Sequence, residues 1–562
     1  MDSFILQAVA LAALIIFLWA IRRRLRRTSF NNLPGPPAKS WIFGSLAQLR
    51  DRNAWDFHRQ VSETYGEVSR VKGLLGVNGL YVYDPKALNH VLVKEQEIYE
   101  ETEGFIQSNL LAFGGGFFAS VGERHRLHRK MLNPVFSIAH MREMVPIFYE
   151  IAHKLQNTLM SMTSTGPREV NQLLLYFDAE PHLRQIDILA WNTRLALELI
   201  GQTGLGYSFD TLEEGATPHP YGVASKFFMP LTSGFSIIVR DIMAPLVVRY
   251  GSPRIGRFLA SWVPWKKLHQ FRDVMDTLNG TALEILEEKK KAIHAGDEVL
   301  KTQVGRGKDI MSILLKSNMN ALDADRLTDD ELTGQISSLT FAATDTTSSA
   351  LSRILYLLSV NKDCQDRARE EIKVAKEDNG GQDIDYDTLV SLPFLDAVCR
   401  ETLRLYPPLP FLQRTTRADT VLPLATPVKG INGEDIRELP LPTGTPVFVS
   451  VISSNTNPRL WGPDSYKWRP ERWLTPLPES LINARIPGVY SHLLMFIGGG
   501  RSCIGFKFSQ LEMKVALALL LEKLEFTPSN KHTVWQMSAV ALPHPDFESI
   551  QPRLPIVISR AD

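Results

Sequence analysis

The sequence predicts a mainly α-helical protein with small β-sheets, and three observations carry that prediction. Runs of helical period dominate, the longest reaching from "TDDE" at Thr328 to about Val360. Strand-like runs are few and short: "GLYVYD" near residue 80, then "TVLPLA" and "TPVFVSVIS" between about 420 and 452, separated by Pro, Gly and Asn turns. No internal repeat, low-complexity tract or long Gly/Ser linker interrupts the chain, so residues 39–562 read as one large domain. A composition of 44% hydrophobic and 22% charged residues supplies a large core. The formal net charge of +1 excludes a global attraction to nucleic acid.

Taken in order, the first element is an apolar run, Phe4–Ile21, interrupted only by Gln7 and followed by Arg22, Arg23, Arg24, Arg26 and Arg27. A span needs roughly 20 such residues. A cleaved signal carries its charge before the apolar stretch, whereas here the arginines follow it. Residues 1–27 are therefore expected to form one retained transmembrane anchor. The arginine flank and the body behind it would stay in the cytosol, with the endoplasmic reticulum as the default membrane. Residues 28–38, with "NLPGPP", form a stiff proline-rich hinge. "DFHRQVSETYG" and "FRDVMDTLNGTALEILEEKKKAIHAG" read as helices, the second amphipathic with a cationic end suited to a C-terminus. In the long helix, Thr328 and Glu331 make a capping box. Some 30 residues of helix span roughly 45–50 Å, the width of a large domain. Its centre, "ATDTTSS", is made of poor helix formers. Either the patch serves a site, or its hydroxyls simply bond back to helix carbonyls.

Three cysteines make neither a disulfide framework nor a zinc pair. Cys364 and Cys399 read as small buried hydrophobes. Cys503 stands differently, in "MFIGGGRSCIGFKFSQLE". Arg501 lies two residues before it and a helical pattern follows at once, so a cation and free helix N–H groups would favour a thiolate. Gly498, Gly499, Gly500 and Gly505 permit sharp turns and close approach to a flat ligand, and Phe496 offers an aromatic wall. One cysteine cannot complete a zinc site or an iron–sulfur cluster, but it can be the only protein ligand of an iron held by a porphyrin.

Phe496, Gly499, Arg501, Cys503 and Gly505 fit F-x-x-G-x-R-x-C-x-G, and on them the chain resembles the cytochrome P-450 family, microsomal type, with fungal members most similar. The resemblance covers about Leu33 to Arg560. It implies that Cys503 is the axial ligand of a haem b iron and that Arg501 meets a haem propionate. "ETLR", with Glu401 and Arg404 ahead of Pro407 and Pro408, and Arg472 in "WRPERW" match the family's buried structural network. Arg414 falls where the family places a propionate-binding arginine. Gly122–Phe136 resembles its C-helix, with Arg129 as a propionate arginine and His125 replacing the usual tryptophan. "AATDTT" (Ala342–Thr347) matches the oxygen-activation motif. There Asp345 and Thr346 would be the acid–alcohol pair that relays protons, and Ala343 replaces a glycine.

The resemblance implies a monooxygenase inserting one atom of dioxygen into a lipophilic substrate, in secondary metabolism such as terpenoid biosynthesis. No GxGxxG follows a strand, so electrons would come from NADPH through a separate cytochrome reductase, with cytochrome b5 as a second donor. Arg124, Arg126, Arg129 and Lys130 are expected to form a docking face for it. By family analogy the pocket draws on Gly104–Phe118, residues 205–265, Phe341 and Leu409–Leu412. The alternatives are a fatty-acid or xenobiotic hydroxylase, a reductase-independent haem-thiolate isomerase or dehydratase, and a non-catalytic haem sensor.

Overall fold

The protein is described here by a computed structural model covering residues 29–164, 184–232, 241, 244–250, 258, 261–262, 264–296, 304–305 and 307–561. The apolar run Phe4–Ile21 lies outside the described residues, as does part of 205–265. No described helix is long and apolar enough to cross a membrane. The chain divides into two compact units. The first comprises residues up to Thr102, Pro410–Ser465 and Pro478–Ser502; the second comprises Glu103–Leu409, Tyr466–Leu477 and Cys503–Asp562.

The first unit is built on a five-stranded sheet in the order Val68–Lys72, Asn78–Val82, Pro446–Ser450, Phe411–Thr416, Tyr99–Glu101. Its pairs are antiparallel except Asn78–Val82 with Pro446–Ser450. The final pairing sets Glu101 directly opposite Arg414. Behind the sheet, the buried His58 ring meets the Tyr81 hydroxyl at 2.8 Å and the Leu49 carbonyl at 3.0 Å, and the same Tyr81 hydroxyl donates to Ser450. Burial lowers His58 to about 4, so it is a neutral structural link. The stretch "TPVFVSVIS" departs from its strand reading. The strand stops at Ser450, whose hydroxyl accepts from Ser453 N–H and starts the short helix Val451–Asn455.

The second unit is mainly helical. Its longest described element is the central helix Asp329–Val360, opened by the capping box that Thr328 and Glu331 foretold. Helices Ile188–Leu199, Lys266–Ala295 and Phe506–Lys523 pack against it. Phe506–Lys523 is buried on every face through most of its length, as its run of Leu, Val and Ala requires. Helix Pro393–Leu405 ends before Pro407, and it carries a buried carboxylate that receives an unusual number of donors. Glu401 accepts from Arg404 Nε at 2.9 Å and Nη2 at 2.8 Å, from Trp473 Nε1 at 3.0 Å and from the Arg469 N–H at 3.0 Å. Arg472 Nε lies 3.4 Å away. Glu401 and Arg404 are completely buried and Arg472 nearly so. The loop Lys467–Leu474 is thus bound to the helix mainly through Glu401, with Arg404 Nη2 also donating to the Lys467 carbonyl at 3.3 Å and Trp468 Nε1 to the Thr402 hydroxyl at 3.0 Å. Glu401→Ala, which strands two buried guanidinium groups, is expected to cost about 3–5 kcal/mol in urea unfolding, and Glu401→Gln measurably less.

Candidate active site

Cys503 lies two residues before Gly505, the N-cap of helix Phe506–Lys523. It is exposed, although so much of the fold surrounds it that burial pushes its thiol up to about 11. The Gly505 backbone N–H and the charge of Arg129 oppose that rise. Arg501, expected from its sequence position to help, turns instead to Glu100.

The loop ahead of the cysteine explains only part of the glycine run. Gly499 has φ +75°, and a Cβ there would lie 2.0 Å from the Leu92 carbonyl oxygen. Gly498 abuts the Pro487 backbone too closely for a side chain, whereas Gly500 meets only the end of the Gln96 side chain. Gly505 has φ −84°, open to any residue, and nothing stands within 4 Å of a Cβ built on it, so what it leaves is room rather than a turn. Shortly before the cysteine, Ser491, His492 and Ile497 also take left-handed backbone unforeseen in the sequence, with φ 45°, 63° and 44°. Ile497 is β-branched and strained there. Its N–H donates to Leu494 O at 2.9 Å, and Leu494 N–H donates to Asn455 Oδ1 at 2.9 Å. Phe496 is buried, edge-on to Tyr490.

The first unit brings two expected arginines into one cluster. Arg501 Nη2 lies 2.7 Å from Glu100 Oε1, and Arg414 Nη1 lies 2.8 Å from Glu101 Oε1. Arg501 feels the other three: burial lowers it, both glutamates raise it, and Arg414 lowers it again.

In the second unit, helix Gly122–Leu132 carries the remaining expected donors. His125 is buried, with its ring 4.6 Å from that of Phe117. Arg129 lies within electrostatic reach of Cys503. The expected docking face is thinner than the sequence suggested. Arg124 donates to both oxygens of Glu331, and Arg126 pairs with Glu123. Burial works against ionisation of Glu331, yet Arg124, Thr328 and His128 hold it down to about 2. The fully buried His128 meets Glu331 through Nε2 and Gln335 through Nδ1. Arg124 therefore fastens its helix to the start of the central one, and of the cluster only Arg126 and Lys130 are exposed.

At the centre of the long helix the two readings of "ATDTTSS" divide by residue. Thr346 Oγ1 donates to Ala342 O at 2.7 Å, and Thr344 Oγ1 to Thr340 O at 2.7 Å. Those hydroxyls do bond back to the helix. Asp345 does not join Thr346. It lines a small cavity, with room for about one water, together with Leu189, Thr193, Lys226, Ser348, Leu542 and Pro552. Burial raises Asp345 to about 7, opposed by the charge of Lys226. Burial also lowers Lys226, which feels Asp187 and Asp345 on one side and Arg194 and Arg553 on the other. On the same central helix, Phe341 sits in an aromatic cluster with Phe113 and Phe228, centroids 5.0 and 4.9 Å away.

Sequence reasoning missed Glu100, Glu101, Lys226 and Glu512. The last lies wholly buried on helix Phe506–Lys523, and neither carboxylate oxygen meets a donor at hydrogen-bond distance. Burial raises its pKa well above the ordinary value, against Thr347.

A haem fits the donor set. Among the described residues no group of three His, Cys, Asp or Glu side chains could hold a metal, so an iron bound by Cys503 must bring its other ligands with it. The exposed sulfur, the room beside Gly505 and the nearby Arg129 charge suit a flat carboxylate-bearing macrocycle.

The family model named cytochrome P-450 matches residues 34–548. The chain is similar to cytochrome P-450 monooxygenase 91 of Postia placenta, 46% identical with 97% of each chain covered. It is similar to ganoderic acid synthetase of Ganoderma lucidum, 42% identical with 98% of each covered. Monooxygenase eriI of Hericium erinaceus is 34% identical, again over 98% of each.

Because the folded state favours protonated Glu512, its contribution is fully present below the ordinary glutamate value and falls away as pH rises. Glu512→Gln is expected to change the melting temperature little near pH 5 and to raise it relative to wild type near pH 8. Thermal melts across that range check the sign.

Proposed function

The chain belongs to the cytochrome P-450 family of monooxygenases, and from that premise we propose that it oxidises a lipophilic secondary metabolite of terpenoid type, drawing electrons from NADPH through a separate reductase. The observation that carries the site assignment is Cys503, exposed ahead of a helix N-terminus, with a backbone N–H and Arg129 favouring its anionic form. The name of the relative from Ganoderma, a ganoderic acid synthetase, supports a secondary-metabolite substrate. The aromatic cluster of Phe113, Phe228 and Phe341 supports an apolar one. The apolar run Phe4–Ile21 with its arginine flank supports an anchor in the endoplasmic reticulum membrane, catalytic units on the cytosolic side.

Cys503 would hold the haem iron, with Arg129, His125, Arg414 and Arg501 as donors to the haem carboxylates. Bound there, the haem supplies the reductive activation of dioxygen and the transfer of one oxygen atom to substrate. The remaining work is proton supply, and the geometry divides it. Thr346, with its proton turned to Ala342 O, offers lone pairs that can hold a water. Asp345, at about 7, can give and take a proton near neutral pH. Lys226 faces it across a water-sized cavity and favours its ionised form. Asp345 and Thr346 thus act from separate positions rather than as one hydrogen-bonded pair.

The class is tested by the carbon monoxide difference spectrum of the reduced protein followed by product analysis with reductase, NADPH and a terpenoid panel. Wild type is expected to give the thiolate-ligated spectrum and an oxygenated product. Cys503→His should lose both. A thiolate spectrum with a product formed equally well without reductase would replace the monooxygenase reading with an isomerase.

The relay predicts a pH effect. Removing the Lys226 charge raises Asp345 further, so in Lys226→Met the inflection in coupling of NADPH consumption to product should move to higher pH. Asp345→Asn should abolish that inflection. An unshifted profile in Lys226→Met would remove Lys226 from the relay.

A further inference from the structure

The two arginines that resemblance assigns to the haem carboxylates in the first unit do not present bare positive charge. Tyr99–Glu101 is the outermost strand of the five-stranded sheet, and two of its three residues are consecutive glutamates. Side chains of neighbouring strand residues ordinarily point to opposite faces. Here both reach a guanidinium. Glu101 does so by register, opposite Arg414, with 2.8 Å between Nη1 and Oε1. Glu100 reaches Arg501 at 2.7 Å, and its Oε1 also accepts the Glu101 N–H at 3.0 Å. The four side chains are 5% to 13% exposed, too little for water to screen them as surface charges.

Backbone contacts fix the partners as well. Gln96 Oε1 accepts from the Gly500 N–H, and Gly499 is pressed against the Leu92 carbonyl, so the loop carrying Arg501 is seated against the segment leading into that strand. Two cations and two carboxylates therefore stand together with no net charge. A guanidinium offers five N–H donors and can serve two carboxylates at once. A haem carboxylate bound by either arginine would then lie close to a fixed glutamate of like sign.

We propose that Glu100 and Glu101 are positioning residues that hold Arg501 and Arg414 for the haem carboxylates and, by adding two fixed negative charges there, keep the reduction potential of the bound iron low. The inference rests on the haem-thiolate reading above. Negative charge near the haem edge favours ferric over ferrous iron, and each charge removed favours the reduced form. The glutamates act through the arginines and touch no reacting atom.

The test uses the full-length, haem-loaded protein and redox titration of the ferric–ferrous couple with optical detection. E100Q and E101Q keep the shape and the acceptor oxygen but not the charge. Each is expected to shift the equilibrium toward ferrous iron, and the double variant by roughly tenfold. E100D and E101D keep the charge and should stay near wild type. An unchanged couple in the glutamine variants overturns the proposal, as does an equal shift in the aspartate variants. Loss of haem from the double variant leaves the single variants to decide, and loss from all of the glutamine variants would overturn it by making the glutamates structural. A wild-type protein without the thiolate-ligated carbon monoxide spectrum would instead bring down the haem reading itself.

Discussion

The placement of one sulfur, exposed just ahead of a helix yet closely surrounded by the fold, is the constraint around which this structure is arranged. Burial outweighs one backbone N–H and the Arg129 charge and leaves the Cys503 thiol pushed up to about 11. A coordinating metal cation deprotonates a thiol outright, so under the proposed haem reading ionisation would be left to the iron. What the fold must supply is position. It does so with strained and crowded backbone: Ile497 in a left-handed conformation, Gly499 against Leu92, Gly498 against Pro487. Ile497 is tied through Leu494 to Asn455, and Gln96 accepts from the Gly500 N–H beside Gly499. The helix that follows is packed almost wholly in apolar side chains. A cysteine on a loose loop would have the same chemistry and none of the placement.

The central helix solves a second conflict. A polar patch in an apolar helix must satisfy its hydroxyls without releasing water into the core. Thr340, Thr344 and Thr346 each donate to the carbonyl four residues back. That leaves the hydroxyl oxygen, not its proton, for any further partner. Asp345 has no such escape, and its neighbour in space is Lys226 rather than Thr346. The intermediate affinity of Asp345 for a proton follows from this partial compensation. Burial with no cation would hold it neutral, and a direct ion pair would hold it charged.

What the sequence disclosed follows the distance over which each partner acts. The capping box of Thr328 and Glu331, the Glu401–Arg404 pair and the helix after Cys503 are local patterns, and they stand as read. Arg472 joined Glu401 because family order placed it there, not because spacing did. Glu100 and Glu101 were illegible, since their partners lie 401 and 313 residues on and nothing in "YEE" says which face either acid will use. Lys226 and Glu512 were hidden for the same reason. Ile497 was masked by its own chemistry, because a β-branched residue argues against the backbone it adopts. The docking cluster was over-read: counting cations on one helix says nothing about the carboxylate that waits on another.

That last point extends across the molecule. Arg404 meets Glu401, Arg414 meets Glu101, Arg501 meets Glu100 and Arg124 meets Glu331, so four arginines singled out by motif or helix position each stand against a carboxylate. In a chain with a formal net charge of +1, such pairing turns arginine from a source of field into a device of geometry, since a paired guanidinium is fixed in plane and in direction. Arg353 shows the alternative. It is buried on the central helix with no carboxylate among the charges acting on it, its guanidinium 3.7 Å from the Tyr406 ring centroid and 3.9 Å from that of Trp535. Two aromatic faces can attract a cation but exert less pull than an anion, and burial accordingly lowers it to about 10. The contrast marks what the carboxylates accomplish elsewhere: they hold each arginine in a fixed direction.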